Sequence, residues 1–160
     1  MTLQSIRMNK PDATQAFFTR STSVAQVIER LIKTAKVSVD AALYRLSHPD
    51  LARALHDAAQ RGVQVRVILD SGKYEVTPAT RDLLTEFNLP YRLMSGRDGR
   101  WAKMHHKFAV LDGRVALAGS YNWTLESEEQ NFEDILVLRE HHQVHEFAEE
   151  FEALWALAVK

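Results

Sequence analysis

The sequence contains no cysteine, which excludes disulfide bonds and thiolate metal sites. It also lacks any apolar run approaching the roughly eighteen residues that a membrane-spanning helix needs. Opposite charges nearly cancel, with 20 Lys and Arg against 21 Asp and Glu and a formal net charge of -1. No overall basic field therefore attracts the chain to nucleic acid or to an anionic membrane. Any such binding has to come from a local patch.

What is present is the composition of one globular domain. The chain has 160 residues, 46% of them hydrophobic, which is enough for a proper core. Residues 1–15 are polar and carry no apolar secretory core, so we expect a flexible N-terminal arm there and a single catalytic domain over residues 16–160. Cytoplasmic location is the default expectation. A periplasmic or secreted protein whose leader had been removed would look the same.

Hydrophobic periodicity predicts alternating strands and helices in the first half of the chain. A short strand is expected at residues 16–19, followed by an amphipathic helix after Ser23. Residues 37–44 and 63–70 alternate as strands, and a helix between them runs from Pro49 to Gly62. A strand, helix and strand of this length form a βαβ unit, so these two strands should be parallel.

The second half predicts shorter elements and one closing helix. Residues 71–75 are expected to be a loop. Helices are expected at residues 77–87 and from residue 141 to the end, and strands at residues 91–94, 107–111, 115–119 and 132–138. Together the elements indicate an α/β fold: an α/β/α sandwich with a mixed, largely parallel central sheet.

One stretch, residues 104–134, concentrates the side chains that can do chemistry. It carries the spacing His-x-Lys-x4-Asp-x6-Gly-Ser-x-Asn, beginning at His105. A neutral imidazole can attack phosphorus and form a covalent phosphohistidine. Lys107, two residues along a predicted strand, projects from the same face as His105 and can hold a phosphate oxygen. Ser120 and Asn122, just past the next strand, can donate to the same phosphate from a glycine turn.

This spacing resembles the signature of the phospholipase D superfamily, which includes phospholipases, bacterial endonucleases and related phosphodiesterases. The resemblance covers residues 16–158 and is closest to the small single-motif bacterial nucleases. In that family two motifs face each other, and one histidine attacks while the other protonates the leaving group. Because this chain holds one copy, the resemblance implies a homodimer with His105 of each subunit in a composite site. It implies no metal and no other cofactor.

The resemblance also directs attention to acidic residues. The family's short downstream motif, Asn-x-Glu-Asn, corresponds to residues 131–134, where Glu133 matches the acid expected to orient His105. Asp134 departs from the usual Asn, and no role is assigned to it. Asp112 is more often structural in the family, where it fixes the turn after the first motif strand. It is kept here as a candidate site residue.

A basic loop precedes the motif. Arg97, Arg100 and Lys103, with Trp101 between them, are candidates for contacts with a nucleic-acid strand through its phosphates and bases. A solvated loop with one anchoring tryptophan is an equal alternative.

Other residues near the motif have simpler explanations. His106 should point away from the face that carries His105. Residues 141–145 contain three histidines, which are expected to be the solvated start of the last helix rather than a metal site. Trp123 is expected to pack beneath the site, with substrate contact as the alternative.

The leading functional hypothesis is a metal-independent phosphodiesterase that acts as a nonspecific endonuclease on DNA, with RNA as a further nucleic-acid substrate. One alternative is a phospholipase D-type hydrolase of phospholipid headgroups. Another is a family member that binds nucleic acid without cleaving it. The near-zero net charge weighs against the leading hypothesis, since nonspecific nucleases often carry a basic face.

Overall fold

A computed structural model of the protein describes residues 13–159. The elements in chain order are β1 (Gln15–Phe18), α1 (Val24–Thr34), β2 (Ser38–Leu43), α2 (Pro49–Gln60), β3 (Gln64–Asp70), α3 (Ser71–Val76), α4 (Pro78–Glu86), β4 (Tyr91–Met94), β5 (Lys107–Leu111), β6 (Val115–Gly119), α5 (Leu125–Glu129), β7 (Asp134–Leu138) and α6 (His141–Leu157). Most of the predicted elements are confirmed within one or two residues.

Over residues 13–159 the strands form one seven-stranded sheet in the order β1-β7-β6-β5-β2-β3-β4. The pairs β2–β3 and β3–β4 are parallel, as the βαβ pattern predicts, and the other four neighbouring pairs are antiparallel. Five strands consequently run in one direction, and only β5 and β7 run in the other. The predicted mixed, largely parallel sheet is confirmed in this sense of strand direction.

Successive strand residues point to opposite faces of the sheet, so apolar residues on both faces need covering. Helices cover both faces. In β2, Val39 and Ala41 join the larger core with α1 and α2, whereas Ala42 joins the smaller core under α6. In β3, Val67 and Ile68 divide between the two cores in the same way. The predicted α/β/α sandwich is confirmed. None of the helices over residues 13–159 combines the length and apolarity needed to cross a lipid bilayer.

The helix boundaries follow from local chemistry. Ser23 caps α1 by accepting a hydrogen bond from the Gln26 amide. Pro49 opens α2, where its missing N–H has no intrahelical acceptor to lose. Gly62 follows α2 with φ of 87°, a conformation that glycine adopts without steric penalty.

Three predicted boundaries need correction. Residues 71–75, expected as a loop, lie in the short helix α3. Asp70 caps this helix by accepting a hydrogen bond from the Lys73 amide. The helix buries no residue, so hydrophobic periodicity gives no sign of it in the sequence. Strand β7 starts at Asp134 rather than at residue 132, because the Glu133 amide donates instead to the Thr19 hydroxyl. The predicted arm, residues 1–15, lies largely outside the described residues, and Gln15 already belongs to β1.

Asp112 is removed from the candidate site by its position. It follows β5 at the end opposite to Lys107 and sits in a tight turn with φ of 55°. Its carboxylate accepts hydrogen bonds from the backbone amides of Lys36 at 3.0 Å, Val37 at 2.8 Å and Ser38 at 3.0 Å. Its assignment as a site residue is therefore wrong. The turn-fixing role is confirmed, and the carboxylate also ties the start of β2 to the β5–β6 hairpin.

We predict that Asp112→Ala lowers the free energy of unfolding by about 2 kcal/mol, because three amides lose their acceptor and alanine is strained at positive φ. Asp112→Asn should lose less, since asparagine tolerates this conformation and retains one acceptor oxygen. Urea denaturation measures both. Equal losses in the two variants would contradict the proposed role of the hydrogen bonds and of the turn conformation.

The same carboxylate should give a pH-dependent stability. Burial raises the pKa of Asp112, but hydrogen bonds from three backbone amides and the nearby Arg114 outweigh it and hold the pKa below the usual value. The stabilisation is thus present above the unfolded-state pKa of about 3.9 and is lost as pH falls through the lower folded-state pKa. The gap in unfolding free energy between the native protein and Asp112→Asn should shrink below about pH 4.

Candidate active site

The candidate site lies at the edge of the sheet where β2 ends and β5 begins. The antiparallel pairing of these strands places Lys107 opposite Leu43. Just beyond the paired residues, the Tyr44 amide donates a 2.7 Å hydrogen bond to the carbonyl oxygen of His106. The segment that carries His105 is thereby held against the end of β2, beside the aromatic ring of Tyr44.

His105 and Lys107 are in direct contact, as their spacing predicts. The Lys107 Nζ lies 3.3 Å from His105 Nδ1 and donates a 2.9 Å hydrogen bond to the His105 carbonyl oxygen. The imidazole ring also packs against Tyr44, with 4.4 Å between ring centroids. Tyr44 is a site residue that sequence reasoning missed. Its only signal in the sequence was an aromatic residue at the end of a predicted strand.

The electrostatics of this cluster favour a neutral imidazole. Burial, followed by the positive charges of Lys107 and Lys103, lowers the pKa of His105, while the carboxylate of Asp70 opposes the shift. Burial also lowers the pKa of Lys107, and Glu133 opposes that change. A histidine with a lowered pKa is largely unprotonated at neutral pH, and this is the form that can act as a nucleophile.

Asp70 is a second site residue that sequence reasoning did not assign. Its side chain is only 3% exposed. One carboxylate oxygen accepts a 2.9 Å hydrogen bond from the Met104 amide, and the other accepts a 2.9 Å bond from the Lys73 amide. Asp70 therefore fixes the residue just before His105 and the start of α3 at once. The available signal in the sequence was an aspartate at the end of a predicted strand. A buried carboxylate is stable only when it has hydrogen-bonding or charged partners.

The carboxylate of Glu133 is held by neutral donors. The Ser120 hydroxyl donates to one oxygen at 2.5 Å, and the Ser127 hydroxyl and the Asn131 amide donate to the other at 3.1 Å and 3.2 Å. Within residues 13–159 of a single chain, these side chains, and not His105, are the hydrogen-bonding partners of Glu133. The predicted orientation of His105 by Glu133 is therefore not made inside one protomer.

Asn122 follows β6, and its hydrogen bonding is incomplete. Its side-chain oxygen is buried and finds no donor among the residues that the structure describes. That oxygen is an acceptor, so only the Nδ2 group of this amide could donate to a phosphate oxygen. Trp123 is 1% exposed, and its carbonyl oxygen accepts hydrogen bonds from the amides of Ser47 at 2.9 Å and His48 at 3.0 Å. Trp123 therefore packs in the larger core, and the alternative of substrate contact by this side chain is wrong.

The basic loop divides into two parts. Lys103 belongs to the site, with its Nζ 6.0 Å from the centroid of the Tyr44 ring. Trp101 is 80% exposed, and the Arg100 guanidinium stacks over it at 4.3 Å. Trp101 is not an anchor in the core, so the alternative of an anchoring tryptophan is wrong. Arg97 lies on the other side of His105, in the groove described next.

An apolar groove of about 750 Å³ opens beside His105. We define it by the side chains that form its wall: Leu93, Met94, Leu154, Leu157 and Val159. Arg97, Lys103, His106 and Glu150 line the same groove with His105, so its polar part carries both basic and acidic groups.

The remaining histidines lie outside this cluster. His106 turns away from Lys107, packs edge-on against Phe108, and has its Nε2 3.7 Å from a Glu150 oxygen on α6. The prediction for His106 is confirmed.

The three histidines of residues 141–145 start α6 on its exposed side. His142 and His145 face Glu146 and Glu149 of the same helix, at 3.5 Å and 3.1 Å. Within residues 13–159, no cluster of three or more histidine and carboxylate side chains is positioned to hold a metal ion.

Comparison with known sequences agrees with this geometry. The family model described as "Cardiolipin synthase, PLD-like domain" matches residues 28–155. The mitochondrial cardiolipin hydrolase of Homo sapiens is 36% identical over 126 residues, which is 79% of this chain and 48% of that protein. The Xenopus tropicalis protein of the same name is 37% identical over 125 residues, 78% of this chain and 58% of that protein. The chain thus spans about half the length of the curated relatives that it matches.

Two solved structures share the fold. The phospholipase D family member Nuc from Salmonella typhimurium superimposes with a TM-score of 0.81 at 23% identity, covering 91% of this chain and 95% of that one. NucT from Helicobacter pylori gives 0.81 at 22% identity, covering 92% and 98%. The fold, the motif at residues 105–122 and the match of the family model together assign the chain to the phospholipase D superfamily.

Proposed function

We propose that the protein is a metal-independent phosphodiesterase that uses His105 as its nucleophile and forms its active site from two copies of the chain. The observation that carries the proposal is the contact between Lys107 Nζ and the His105 ring at 3.3 Å, in surroundings that lower the pKa of His105. A neutral imidazole beside a fixed cation is suited to attack a phosphate whose negative charge the cation offsets.

The chemistry balances in two displacements. A ring nitrogen of His105 attacks phosphorus, the bond to the leaving oxygen breaks, and the imidazolium of the second copy's His105 protonates that oxygen. Water then attacks the phosphohistidine, gives its proton to the second imidazole, and releases a phosphate monoester and the free histidine. Lys107 and Asn122 offset charge on the non-bridging oxygens in both steps.

A single protomer supplies only half of this arrangement. One imidazole cannot stand on both sides of an in-line displacement, and the Glu133 carboxylate does not contact the His105 of its own chain. An exposed aromatic pair flanks Glu133: Phe132 is 89% exposed and Phe18 is 50% exposed. We infer that this aromatic pair is buried between two copies. Glu133 is then available to orient the His105 of the second copy, which is the role its motif position implies.

Nucleic acid is the substrate class that the site supports best. Lys103 and Lys107 line the site without a carboxylate partner within 4.0 Å among residues 13–159, and the stacked Arg100 and Trp101 stand at its rim. Unpaired cations next to an exposed aromatic ring suit a polyanionic strand with unstacked bases. The proposed activity is a nonspecific endonuclease on DNA or RNA. This local patch supplies the positive charge for binding nucleic acid that the overall net charge does not.

A phospholipid headgroup is the second candidate substrate, and a different observation favours it. The apolar groove beside His105 can receive the hydrocarbon part of a lipid whose phosphate reaches the imidazole. The similarity to proteins named mitochondrial cardiolipin hydrolase supports the same candidate.

One prediction of the proposed function concerns metal independence and the nucleophile. In EDTA, the protein should cleave plasmid and single-stranded DNA, and His105→Ala should lower the rate by about a thousandfold or more. His142→Ala is the matched control and should keep the rate, since that ring lies at the exposed start of α6. Agarose gels and a fluorescent oligonucleotide measure both.

Two results would refute the nuclease assignment. Cleavage that survives in His105→Ala would show that the nucleophile is wrong. Absence of DNA and RNA cleavage, together with His105-dependent release of headgroup from phospholipid vesicles, would establish the lipid candidate instead.

Another prediction concerns the pKa of the His105 imidazole. The pKa of His105 should lie below the usual value of about 6.5. Lys107→Gln should raise it, because removing a nearby positive charge favours the protonated ring. Lys36→Gln, at the far end of the sheet beside Asp112, should leave it unchanged. NMR titration of the ring carbon protons follows each case, and a pKa that falls in Lys107→Gln would contradict the electrostatic account.

A further prediction concerns the proposed dimer. Sedimentation should show a dimer at micromolar concentration, and Phe132→Glu should yield a folded monomer that has lost activity, because like charges meet across a twofold contact. Val37→Glu, another exposed apolar residue changed in the same way, should remain dimeric and active. A native protein that is monomeric and fully active would exclude the shared site.

A further inference from the structure

The ring of Tyr44 collects three ammonium groups on the substrate side of the sheet. Nζ of Lys107, Lys73 and Lys103 lie 5.2 Å, 5.5 Å and 6.0 Å from its centroid. One phosphate bound at His105 accounts for Lys107, but Lys73 belongs to a different element, α3. The aromatic face accommodates these cations through cation–π attraction.

The chain does not neutralise these charges. Within residues 13–159 no carboxylate forms an ion pair within 4.0 Å of Lys73, Lys103 or Lys107. The carboxylate beneath them, Asp70, has both oxygens engaged by backbone amides. Positive charges gathered around one ring repel each other, and an anion bound among them would offset that repulsion.

A pocket of about 230 Å³ joins this cluster to the exposed loop. We call it the rim pocket and define it by the larger side chains that line it: Tyr44, Asp70, Lys73, Val76, Arg100, Trp101 and Lys103. Its floor is Tyr44, the residue that also packs against His105, so the rim pocket is continuous with the site of cleavage. Its outer wall is the exposed indole of Trp101 under the Arg100 guanidinium.

We propose that the rim pocket binds the nucleotide next to the scissile phosphate of a single-stranded nucleic acid, with Lys73 and Lys103 on its phosphate and Trp101 against its base. The inference rests on the proposed nuclease function and adds a second phosphate position to it. Successive phosphates of one strand need cations at successive positions, and Lys107 and Lys73 reach the ring of Tyr44 from two different elements.

The composition of the rim pocket favours a nucleotide over a lipid. An exposed indole stacked with a guanidinium offers a flat surface to a base, and every base has a π face to place on it. A hydrocarbon chain needs a continuous apolar wall. That wall lies on the other side of His105, in the apolar groove, and not here.

Binding without cleavage tests the subsite. In the His105→Ala background, a fluorescent single-stranded oligonucleotide is titrated against the protein at about 0.1 M salt. Adding Lys73→Gln should weaken binding about tenfold and reduce the slope of log K against log salt by about one. Trp101→Ala should also weaken binding about tenfold, with little change in that slope. Lys36→Gln removes the same charge far from the site and should change neither quantity beyond twofold.

The outcomes separate this inference from the proposed function. Unchanged affinity in Lys73→Gln, or no binding of the oligonucleotide at all, would overturn the subsite. If the parent protein cleaves DNA while Lys73→Gln binds normally, the nuclease function stands and the subsite falls. If binding depends on Lys73 but the parent protein does not cleave, the rim pocket stands as a nucleotide-binding site, and both the nuclease function and a place next to a scissile phosphate fall. Lys73-dependent hydrolysis of cardiolipin vesicles, with oligonucleotide binding unaffected, would assign the rim pocket to a lipid and overturn the proposal.

Discussion

The pairing of β2 with β5 is the constraint on which the site depends. Its register sets Lys107 opposite Leu43, and the hydrogen bond from the Tyr44 amide to the His106 carbonyl extends the contact beyond the paired residues. A slip of one residue would turn His105 and Lys107 to the face that α6 covers. Asp112 secures the other end of the same strands by binding the amides at the start of β2. Asp112 thus serves the chemistry by fixing register, at a distance from the reacting groups.

The site gathers positive charge, and the surrounding structure tolerates that charge without neutralising it. Tyr44 presents its π face to the lysines. The carboxylate of the buried Asp70 accepts hydrogen bonds from backbone amides and forms no ion pair with these lysines. The pKa of His105 falls first because of burial and then because Lys107 and Lys103 place positive charge beside the ring. A bound phosphate would offset the charge of these lysines, so the surroundings that favour a neutral imidazole also suit the proposed substrate.

Glu133 is the residue on which the proposal of a shared site chiefly rests. Its carboxylate is fixed by Ser120, Ser127 and Asn131, yet it does not contact the imidazole of its own chain. The neighbouring Phe132 exposes an aromatic ring that a lone protomer would leave in water. Both features are accounted for by a second copy, which would cover the ring and bring another His105 to the carboxylate. The apolar groove and the rim pocket then lie on two sides of one nucleophile and define the two substrate classes to be distinguished.

By itself, the sequence determined the order of elements, the βαβ unit, and the contact between His105 and Lys107, because these depend on local periodicity and on spacing along one strand. It could not assign Asp112, since a turn residue at the far end of a strand has the same spacing as a site residue. It did not point to Tyr44, Asp70 or Lys73, which lie 32 to 61 residues before His105 in the chain. Only the parallel β2–β3 pairing and the β2–β5 register bring those side chains to the nucleophile. Contacts between distant segments depend on packing, and packing is a property of the tertiary structure.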